Sequence, residues 1–440
     1  MLSAMSDYNP YWFILAGSLI VIVSYFFNLI SRKTNFPSVL MLLMLGMLMK
    51  AGLNLLGIMP FNLDSILELI GIVGLIMIVL EASLDLKFNK EKTSLIYKAL
   101  FLALGSVVGG TLIISLILNY YFQFGFLTSM IYAIPLSIVS GAIVIPSVVN
   151  FSEEKREFMI YEATFSDILG ILFFYFTIES IHFDNAGVIV YSILLNICIT
   201  VFASVVLSVL LIFLFQRIRT QVKLFLLLSV LFVFFSVGKL FHLSSLIIIL
   251  VFGLMLENKE LVFHRFFDKY LDKVALNHIH INFKLITLET SFVIRTFFFV
   301  IFGMTITLAS IADPDVIFMS SLITMVFLVL RFILLKLIIK RRFMDIMFLI
   351  PRGLITILLV YSIPQEFQEP GFDPGIMFLT ILFTSLIMTI SLLHQKWQQR
   401  LRIIRKEHIY EAYGRFIPEE WVPGPTQDDP LGKTGGPSKE

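Results

Sequence analysis

Long apolar runs separated by short polar loops dominate the chain. A bilayer core about 30 Å thick needs about 20 consecutive apolar residues in a helix that crosses it. Thirteen segments fit this pattern, at about 11–30, 37–57, 63–84, 95–119, 128–150, 158–178, 187–216, 223–240, 243–257, 284–310, 315–340, 344–363 and 375–393. The pattern therefore predicts an all-α polytopic membrane protein with 13 transmembrane helices. The seventh segment is long enough to tilt strongly and the ninth is short, so these two have the least well-defined ends.

Composition supports this class of protein. The 440 residues are 58% hydrophobic and only 15% charged, which excludes an ordinary soluble globular protein. The single cysteine, Cys198, lies inside an apolar run, which excludes disulfides and cysteine metal sites. No basic stretch precedes residues 11–30 and no small-residue cleavage site follows, so we expect a retained span rather than a signal peptide.

Basic residues are concentrated in alternate loops. If all 13 segments cross the membrane, 27 of the 33 Lys and Arg residues fall in loops on one side or in the C-terminal tail, and the loops on the other side contain none. Under the positive-inside rule, the N-terminus is outside and the C-terminus cytoplasmic. We expect a multi-pass protein of the cell membrane, in a prokaryotic inner membrane.

The segment after the last span forms a separate tail. We divide the chain into a transmembrane transporter domain, 1–393, and a cytoplasmic tail, 394–440, whose distal part is rich in Pro and Gly and predicted to be disordered. His278 and His280, before the tenth span, raise the possibility of metal binding. An interfacial role is favoured for both, since the sequence shows no acidic or cysteine ligand beside them.

Three polar residues fall near the middle of their spans. At about 1.5 Å per residue, Asp167 lies near the centre of the sixth span, Ser140 at the centre of the fifth and Arg352 at the centre of the twelfth. Charged residues at this depth cost a few kcal/mol each and usually mark a pathway or a buried pair. The sequence therefore predicts that these three side chains converge on one plane.

The fifth and twelfth spans also carry the helix breakers. Such residues are tolerated at membrane depth only where neighbours or a water-lined cavity satisfy the freed backbone. If about 11–178 and about 223–393 form two repeats of six spans, the fifth and twelfth spans are each the fifth span of their repeat. The single connecting span, about 187–216, gives the two repeats opposite topology. Broken helices at matching positions indicate a transporter's midplane site. The breakers are Pro135, Gly141 and Pro146 in the fifth span, and Pro351 and Gly353 in the twelfth.

The sixth span carries two carboxylates with different surroundings. Glu162 and Asp167 are five residues apart, about 140° around a helix, so they cannot form a shared-proton dyad by themselves. Arg331 lies at a depth similar to that of Glu162, which makes an ion pair between them possible. Asp167 would then be the unpaired carboxylate facing a cavity, with Ser166 beside it, and a proton and a cation would compete for it.

Other readings of the intramembrane charges stay open. Asp167 could instead be a helix-packing residue bonded across the bundle. Glu81, about 10 Å to the cytoplasmic side of its span centre, is either an access-path carboxylate or an interfacial one. Glu289 and Arg295 are six residues apart and do not face each other, so each needs a partner elsewhere.

Four short motifs, in order along the chain, resemble the monovalent cation/proton antiporter superfamily, on its sodium/proton exchanger-like branch. They are "LEASLDL", "EATFSD", "VLRFILL" and "PRGLITILL", which together extend from the third span to the twelfth. In "EATFSD" the Glu and the final Asp have the spacing of that family's Glu-Ser-x-x-Asn-Asp signature.

The resemblance implies a role for each matching residue. Asp167 becomes the ion- and proton-binding carboxylate that holds a monovalent cation, Glu162 and Arg331 a structural ion pair, and Glu81 a contributor near the ion path. It also implies unwound crossing helices in the fifth and twelfth spans, with Pro351, Arg352 and Gly353 in the twelfth. The expected assembly is a homodimer with a dimerisation domain and a core domain that moves like an elevator.

The chain departs from the family pattern at two places. Ser166 replaces the Asn before the Asp, so only a hydroxyl ligand remains there. The exchanger pattern Thr-Asp-Pro aligns with Ser140-Gly141-Ala142, which keeps a hydroxyl at Ser140 and loses an Asp at Gly141. With one carboxylate, we predict electroneutral one-for-one exchange.

The sequence thus favours a secondary antiporter that exchanges Na⁺ or K⁺ for protons, and not an enzyme. Another solute transporter or an ion channel on the same inverted-repeat fold is the alternative. An intramembrane protease is disfavoured, because Asp167 is the only mid-membrane Asp and no His lies in mid-span. We expect no resident cofactor and no nucleic-acid partner; the partners are the transported ions, the bilayer and a second copy.

Overall fold

The computed structural model describes residues 10–34, 36–55, 63–88, 90–149, 151–180, 186–217, 223–240, 245–259, 273–306, 311–339 and 343–413. Within these ranges the regular structure is helical, with no strand. The α-helices are α1 (Pro10–Thr34), α2 (Ser38–Leu55), α3 (Asp64–Asp85), α4 (Thr93–Phe122), α5 (Phe126–Ser137), α6 (Gly141–Ser147), α7 (Glu153–Ser180), α8 (Ala186–Arg217), α9 (Lys223–Leu240), α10 (Ser245–Glu257), α11 (Lys273–Thr305), α12 (Pro314–Ile338), α13 (Met344–Met347), α14 (Leu354–Tyr361) and α15 (Pro374–Tyr413). The turns Lys90–Lys92 and Gln365–Phe367 are 3₁₀-helical.

The all-α membrane architecture is confirmed, whereas the number of crossings stays a prediction. Every predicted segment overlaps one of these helices or, for the fifth and twelfth, a pair of shorter ones. By length and composition, nine candidates among the described helices can cross a membrane, and α5 with α6 counts as one of them. Shorter apolar stretches occupy α8, α9 and α10. The distal tail, predicted to be disordered, lies outside the described residues from 414 onward.

The helices pack as two groups. In one group, α4, α5, α6 and α7 pack with one another, and α12 packs on α4, α13 and α15. In the other, α11 packs on α2 and α3, and α10 packs on α3, α8 and α9. Helix α3 also contacts α7 and α14, so it lies at the seam between the groups.

The two broken helices cross at their non-helical segments. Residues 138–140 separate α5 from α6, and Ile138 and Ser140 have extended backbone. Residues 348–353 separate α13 from α14, where Pro351 has no N–H to donate and restricts the residue before it. The N–H of Ser140 donates to the carbonyl of Pro351 over 2.9 Å, so each break satisfies part of the other. The predicted breaks in the fifth and twelfth spans are confirmed.

Candidate functional site

Residues 139–141 present three consecutive backbone donors in the first break. The N–H of Val139 donates to Ser166 Oγ over 2.9 Å and that of Gly141 to Asp167 Oδ2 over 3.1 Å, while Ser140 uses the Pro351 carbonyl. A buried backbone donor without a partner is costly, and here no water is needed to satisfy any of the three. Ser166 and Asp167, adjacent on α7, therefore stabilise the non-helical segment between α5 and α6.

Arg352 satisfies the carbonyl ends that the breaks expose. Its Nε donates to the Leu136 carbonyl over 2.8 Å and its Nη1 to the Ile350 carbonyl over 2.7 Å. The guanidinium also lies over the Phe327 ring, 3.4 Å from its centroid. Because the C-terminal end of a helix carries partial negative charge, a buried cation is favourable at the end of α5. The contacts of Arg352 are those of a structural cation.

Glycine at two positions permits the close approach of these segments. A Cβ at Gly141 would lie 2.7 Å from Asp167 Oδ2, and one at Gly353 would lie 2.8 Å from Ser140 Cβ. Real Cβ atoms do not approach other heavy atoms this closely, so a larger residue at either position would push the crossing apart. Gly141 and Gly353 thus lie in the crossing, as the sequence predicts for its crossing-helix residues.

Asp167 lies at the centre of this arrangement and is 3% exposed. One carboxylate oxygen, Oδ2, accepts the Gly141 N–H, while the other, Oδ1, is buried and accepts no hydrogen bond. Among the described residues, only one other carboxylate oxygen is in this state, Glu81 Oε2 on α3. Glu81 lies on α3, which packs against α7, the helix of Asp167.

Glu162 and Arg331 form a buried, bidentate ion pair. Arg331 Nη2 lies 3.0 Å from Glu162 Oε2, and Nη1 contacts Oε1. Arg331 also donates from Nε to the Ile346 carbonyl over 3.2 Å. Both side chains are buried, and the pair connects α7 to α12 and α13. Glu162 is thereby occupied, which leaves Asp167 without a cationic side chain among its described contacts.

Glu81 has a partner that the sequence did not identify. Arg295 Nη2 on α11 lies 3.2 Å from Glu81 Oε1, and the Ser291 hydroxyl is beside the same carboxylate. Arg295 and Ser291 are four residues apart and so share one face of α11. The sequence did indicate that Arg295 needs a partner elsewhere, because Glu289, six residues before it, does not face it. It could not show that the partner is Glu81, 214 positions away.

The remaining predicted residues have less direct roles at the crossing. Ser140 contributes its backbone, and the Ser166 hydroxyl accepts the Val139 N–H. His280 Nε2 lies 2.6 Å from Glu257 Oε2, so the expectation that no acidic residue accompanies it is wrong, because α10 brings Glu257 to it. No group of three His, Cys, Asp or Glu able to hold a metal ion occurs in the part of the chain that is described. The His278 side chain lies outside that part.

Comparison with known proteins places this geometry in a family. The profile of the family described as "Sodium/hydrogen exchanger, transmembrane" matches residues 18–394. No curated protein matches the chain. Among solved structures, it is similar to the sodium proton antiporter MjNhaP1 from Methanocaldococcus jannaschii at pH 8, with TM-score 0.64, 16% identity, and coverage of 86% of this chain and 95% of that one.

A second structure of MjNhaP1, an electron-microscopy map, gives TM-score 0.63 and 17% identity, with coverage of 94% of this chain and 100% of that one. At these identities the likeness shows a shared fold, and the family match extends over most of the chain. The family match indicates a membrane transporter rather than an enzyme. The chain belongs to the sodium/hydrogen exchanger family.

Proposed function

We propose that this protein is a secondary antiporter that exchanges a monovalent cation, Na⁺ or K⁺, for protons. The observation that carries the proposal is Asp167 Oδ1, a buried carboxylate oxygen without a hydrogen-bond partner at the crossing of two broken helices. A desolvated carboxylate in this situation binds either a proton or a cation, and it cannot hold both. Competition for one group is sufficient for exchange, because the site faces each side of the membrane loaded with one ion or the other.

Glu81 is the second acidic group of the proposed site. Its free oxygen, Oε2, is the other unpartnered carboxylate oxygen among the described residues, and its helix packs against the helix of Asp167. Oxygen ligands suit hard cations such as Na⁺ and K⁺. In the proposed site the cation is bound by Asp167, with Glu81 on the opposite helix group. Ser166 and Ser140 support the site through the backbone of the crossing, and the hydroxyl of Ser140 is proposed as a further ligand.

Electroneutral exchange follows from the charge that Asp167 contributes. Arg331 is paired with Glu162 and Arg352 with carbonyl groups, so neither neutralises Asp167 directly. One carboxylate then carries either one proton or one cation, and the loaded site has the same charge in both states. Transport with this stoichiometry moves no net charge across the membrane.

Alternating access in this proposal uses the two helix groups. The group with α4–α7 and α12–α15 contains both crossing segments and Asp167, whereas the other group contains Glu81. We propose that the first moves as an elevator against the second, that each group draws helices from both inverted repeats, and that the second forms a homodimer. Thirteen crossings, an outside N-terminus, a cytoplasmic C-terminus and a prokaryotic inner membrane complete the proposal.

Transport by the purified protein in liposomes tests this function. Vesicles with an acidic interior and an internal pH dye are given Na⁺, K⁺, Li⁺ or choline outside, and cation-dependent alkalinisation of the lumen is measured. We expect a response to Na⁺ or K⁺, none to choline, and loss of the response in Asp167→Asn. Glu154→Gln, an exposed acid on the first turn of the same helix, is the matched control.

Two outcomes would contradict the proposal. Unchanged exchange in Asp167→Asn would remove the assigned carboxylate from the mechanism. Cation flux that generates a current and ignores the proton gradient would indicate a channel instead. A voltage-sensitive dye in the same vesicles tests electroneutrality separately from exchange.

A further inference from the structure

The contact between Glu81 and Arg295 joins α3, which packs against the helix of Asp167, to α11. Arg295 Nη2 is 3.2 Å from Glu81 Oε1, whereas Oε2 of the same carboxylate has no partner. Both side chains are largely buried, with 16% of Glu81 and 20% of Arg295 exposed. A guanidinium commonly binds both oxygens of a carboxylate. Here it binds one and leaves the other free.

The pair lies where the two helix groups meet. Glu81 is on α3 and Arg295 on α11, which pack against each other, while α3 also contacts α7, the helix of Asp167. The charged or polar side chains to be considered around Glu81 are Arg295 and Ser291 of α11, Asp85 of its own helix and Asp167 of the contacting helix α7. Asp85 lies one turn further along α3 and is paired with Lys284 over 3.0 Å. Arg295 is therefore the cation that contacts Glu81 directly.

Arg295 contributes the positive charge of the proposed cation site. Asp167 and Glu81 together contribute two negative charges, and Arg295 contributes one positive charge. With the proposed function as its basis, we infer that Arg295 sets the net charge of the site at minus one. It thereby fixes one-for-one exchange and lowers the affinity for the cation. Arg295 thus acts on cation binding through its contact with Glu81 and does not itself bind the transported ion.

The inference predicts opposite effects for the two partners. Arg295→Gln leaves two uncompensated carboxylates, so a cation binds more tightly and a second proton competes with it. Glu81→Gln leaves the positive charge of Arg295 without its partner on α3, so the net charge counted for the site becomes zero and the cation binds weakly. In the double variant Glu81→Gln/Arg295→Gln, Asp167 again provides a net charge of minus one.

The experiment compares these variants with Arg295→Lys, which keeps the charge, and with Lys336→Gln, an exposed cation of α12. Each is reconstituted, and the apparent KM for the cation is measured at several pH values with the voltage dye present. We expect KM to fall on the order of tenfold in Arg295→Gln and to rise on the order of tenfold in Glu81→Gln. If the charge effects are additive, the KM of the double variant and of Arg295→Lys should lie within about threefold of the wild-type KM.

Proton coupling gives a readout that a merely structural role would not change. By linkage, the slope of log KM against pH counts the protons displaced per cation. We expect the size of this slope to rise from about one to about two in Arg295→Gln, with a dependence on membrane potential that wild type lacks.

The inference is overturned if both single variants raise KM and the double variant does not recover, or if Arg295→Lys behaves like Arg295→Gln. If Arg295→Gln does not fold, the double variant and Arg295→Lys still decide between charge and structure. Absence of cation-dependent proton movement in wild type would instead refute the proposed function.

Discussion

The backbone N–H of Gly141 donates a hydrogen bond to Oδ2 of Asp167 over 3.1 Å. This contact fixes one oxygen of the carboxylate and leaves Oδ1 free. In the exchanger pattern that the sequence resembles, an Asp stands at the position of Gly141. A Cβ at this position would lie 2.7 Å from Asp167 Oδ2. Asp167 can therefore contact the backbone at position 141 because this chain has glycine, and not Asp, at that position.

Replacing Gly141 should displace Asp167. In Gly141→Ala the new methyl group contacts Oδ2, so the carboxylate moves away and the N–H loses its acceptor. We expect initial rates of cation-dependent proton movement to fall about tenfold or more, the usual size of effect when a buried reacting group is misplaced. Gly52→Ala is the matched control, since no heavy atom lies within 4 Å of its added Cβ. Equal activity of both variants would show that the close approach is not required.

The sequence predicted those features of the fold and the site that depend on the depth of a residue in the membrane. Apolar segment length located the helices, and the depths of Glu162 and Arg331 suggested the contact that the structure contains. The breakers at Pro351 and Gly353 located the second crossing segment. Each of these features depends on position along one helix, which the sequence determines directly.

The contacts of individual atoms could not be predicted in this way. The partner of Arg295 depends on how α11 lies against α3, and the acceptor for the Val139 N–H depends on the rotation of α7. Such contacts join residues far apart in the chain, and no local periodicity encodes them. Ser166 stays a predicted cation ligand, and the structure adds a contact that the sequence does not encode, the Val139 N–H donated to its hydroxyl.

The Glu162–Arg331 pair should be important for stability. Glu162→Gln leaves a buried guanidinium without its counter-charge, which typically costs about 3–5 kcal/mol. We expect a clear decrease in the thermal unfolding temperature in detergent, and partial recovery in Glu162→Met/Arg331→Met, which removes both charges. Asp345→Asn breaks the exposed contact with Lys155 and serves as the control, with an expected cost of at most about 1 kcal/mol. A similar effect of the two single variants would contradict a structural role for the buried pair.

Arg352 should not be replaceable by another cation. Lys has one ammonium group and cannot donate to the Leu136 and Ile350 carbonyls with the planar fork that Arg352 uses. We expect Arg352→Lys to lower both the unfolding temperature and the transport rate, and Arg352→Met to lower them further, because it leaves two buried carbonyls unsatisfied. Lys396→Gln, on the exposed end of α15, should change neither. Normal transport in Arg352→Met would show that the carbonyl ends of the break need no cation.

Protons should compete with the cation in the wild-type protein. Lowering the pH protonates Asp167, so more cation is needed to occupy the site and its apparent KM rises. In the acidic limit we expect a rise of about tenfold per pH unit, which corresponds to one proton displaced per cation. Initial rates at varied cation concentration and pH measure this slope. A slope of two would indicate a second titrating group and exclude the one-carboxylate mechanism.

Ser166 provides the sharpest test of how the break is supported. Its Oγ accepts the Val139 N–H over 2.9 Å, and Ser166→Ala would leave this buried donor without a partner, at a cost of about 1–3 kcal/mol. Ser166→Thr keeps the hydroxyl, and Ser166→Asn restores the residue of the family pattern with a carbonyl oxygen that can also accept.

If Ser166 acts through the backbone, the unfolding temperature and transport rate fall together in Ser166→Ala, and Ser166→Asn recovers both. If Ser166 instead binds the cation, Ser166→Ala keeps the unfolding temperature of wild type and raises only the apparent KM. Thermal unfolding and transport measured on the same three variants distinguish the two roles. We expect the first result, because the Val139 N–H already occupies one of the two acceptor positions of the hydroxyl, and the proposed charge of the site does not include Ser166.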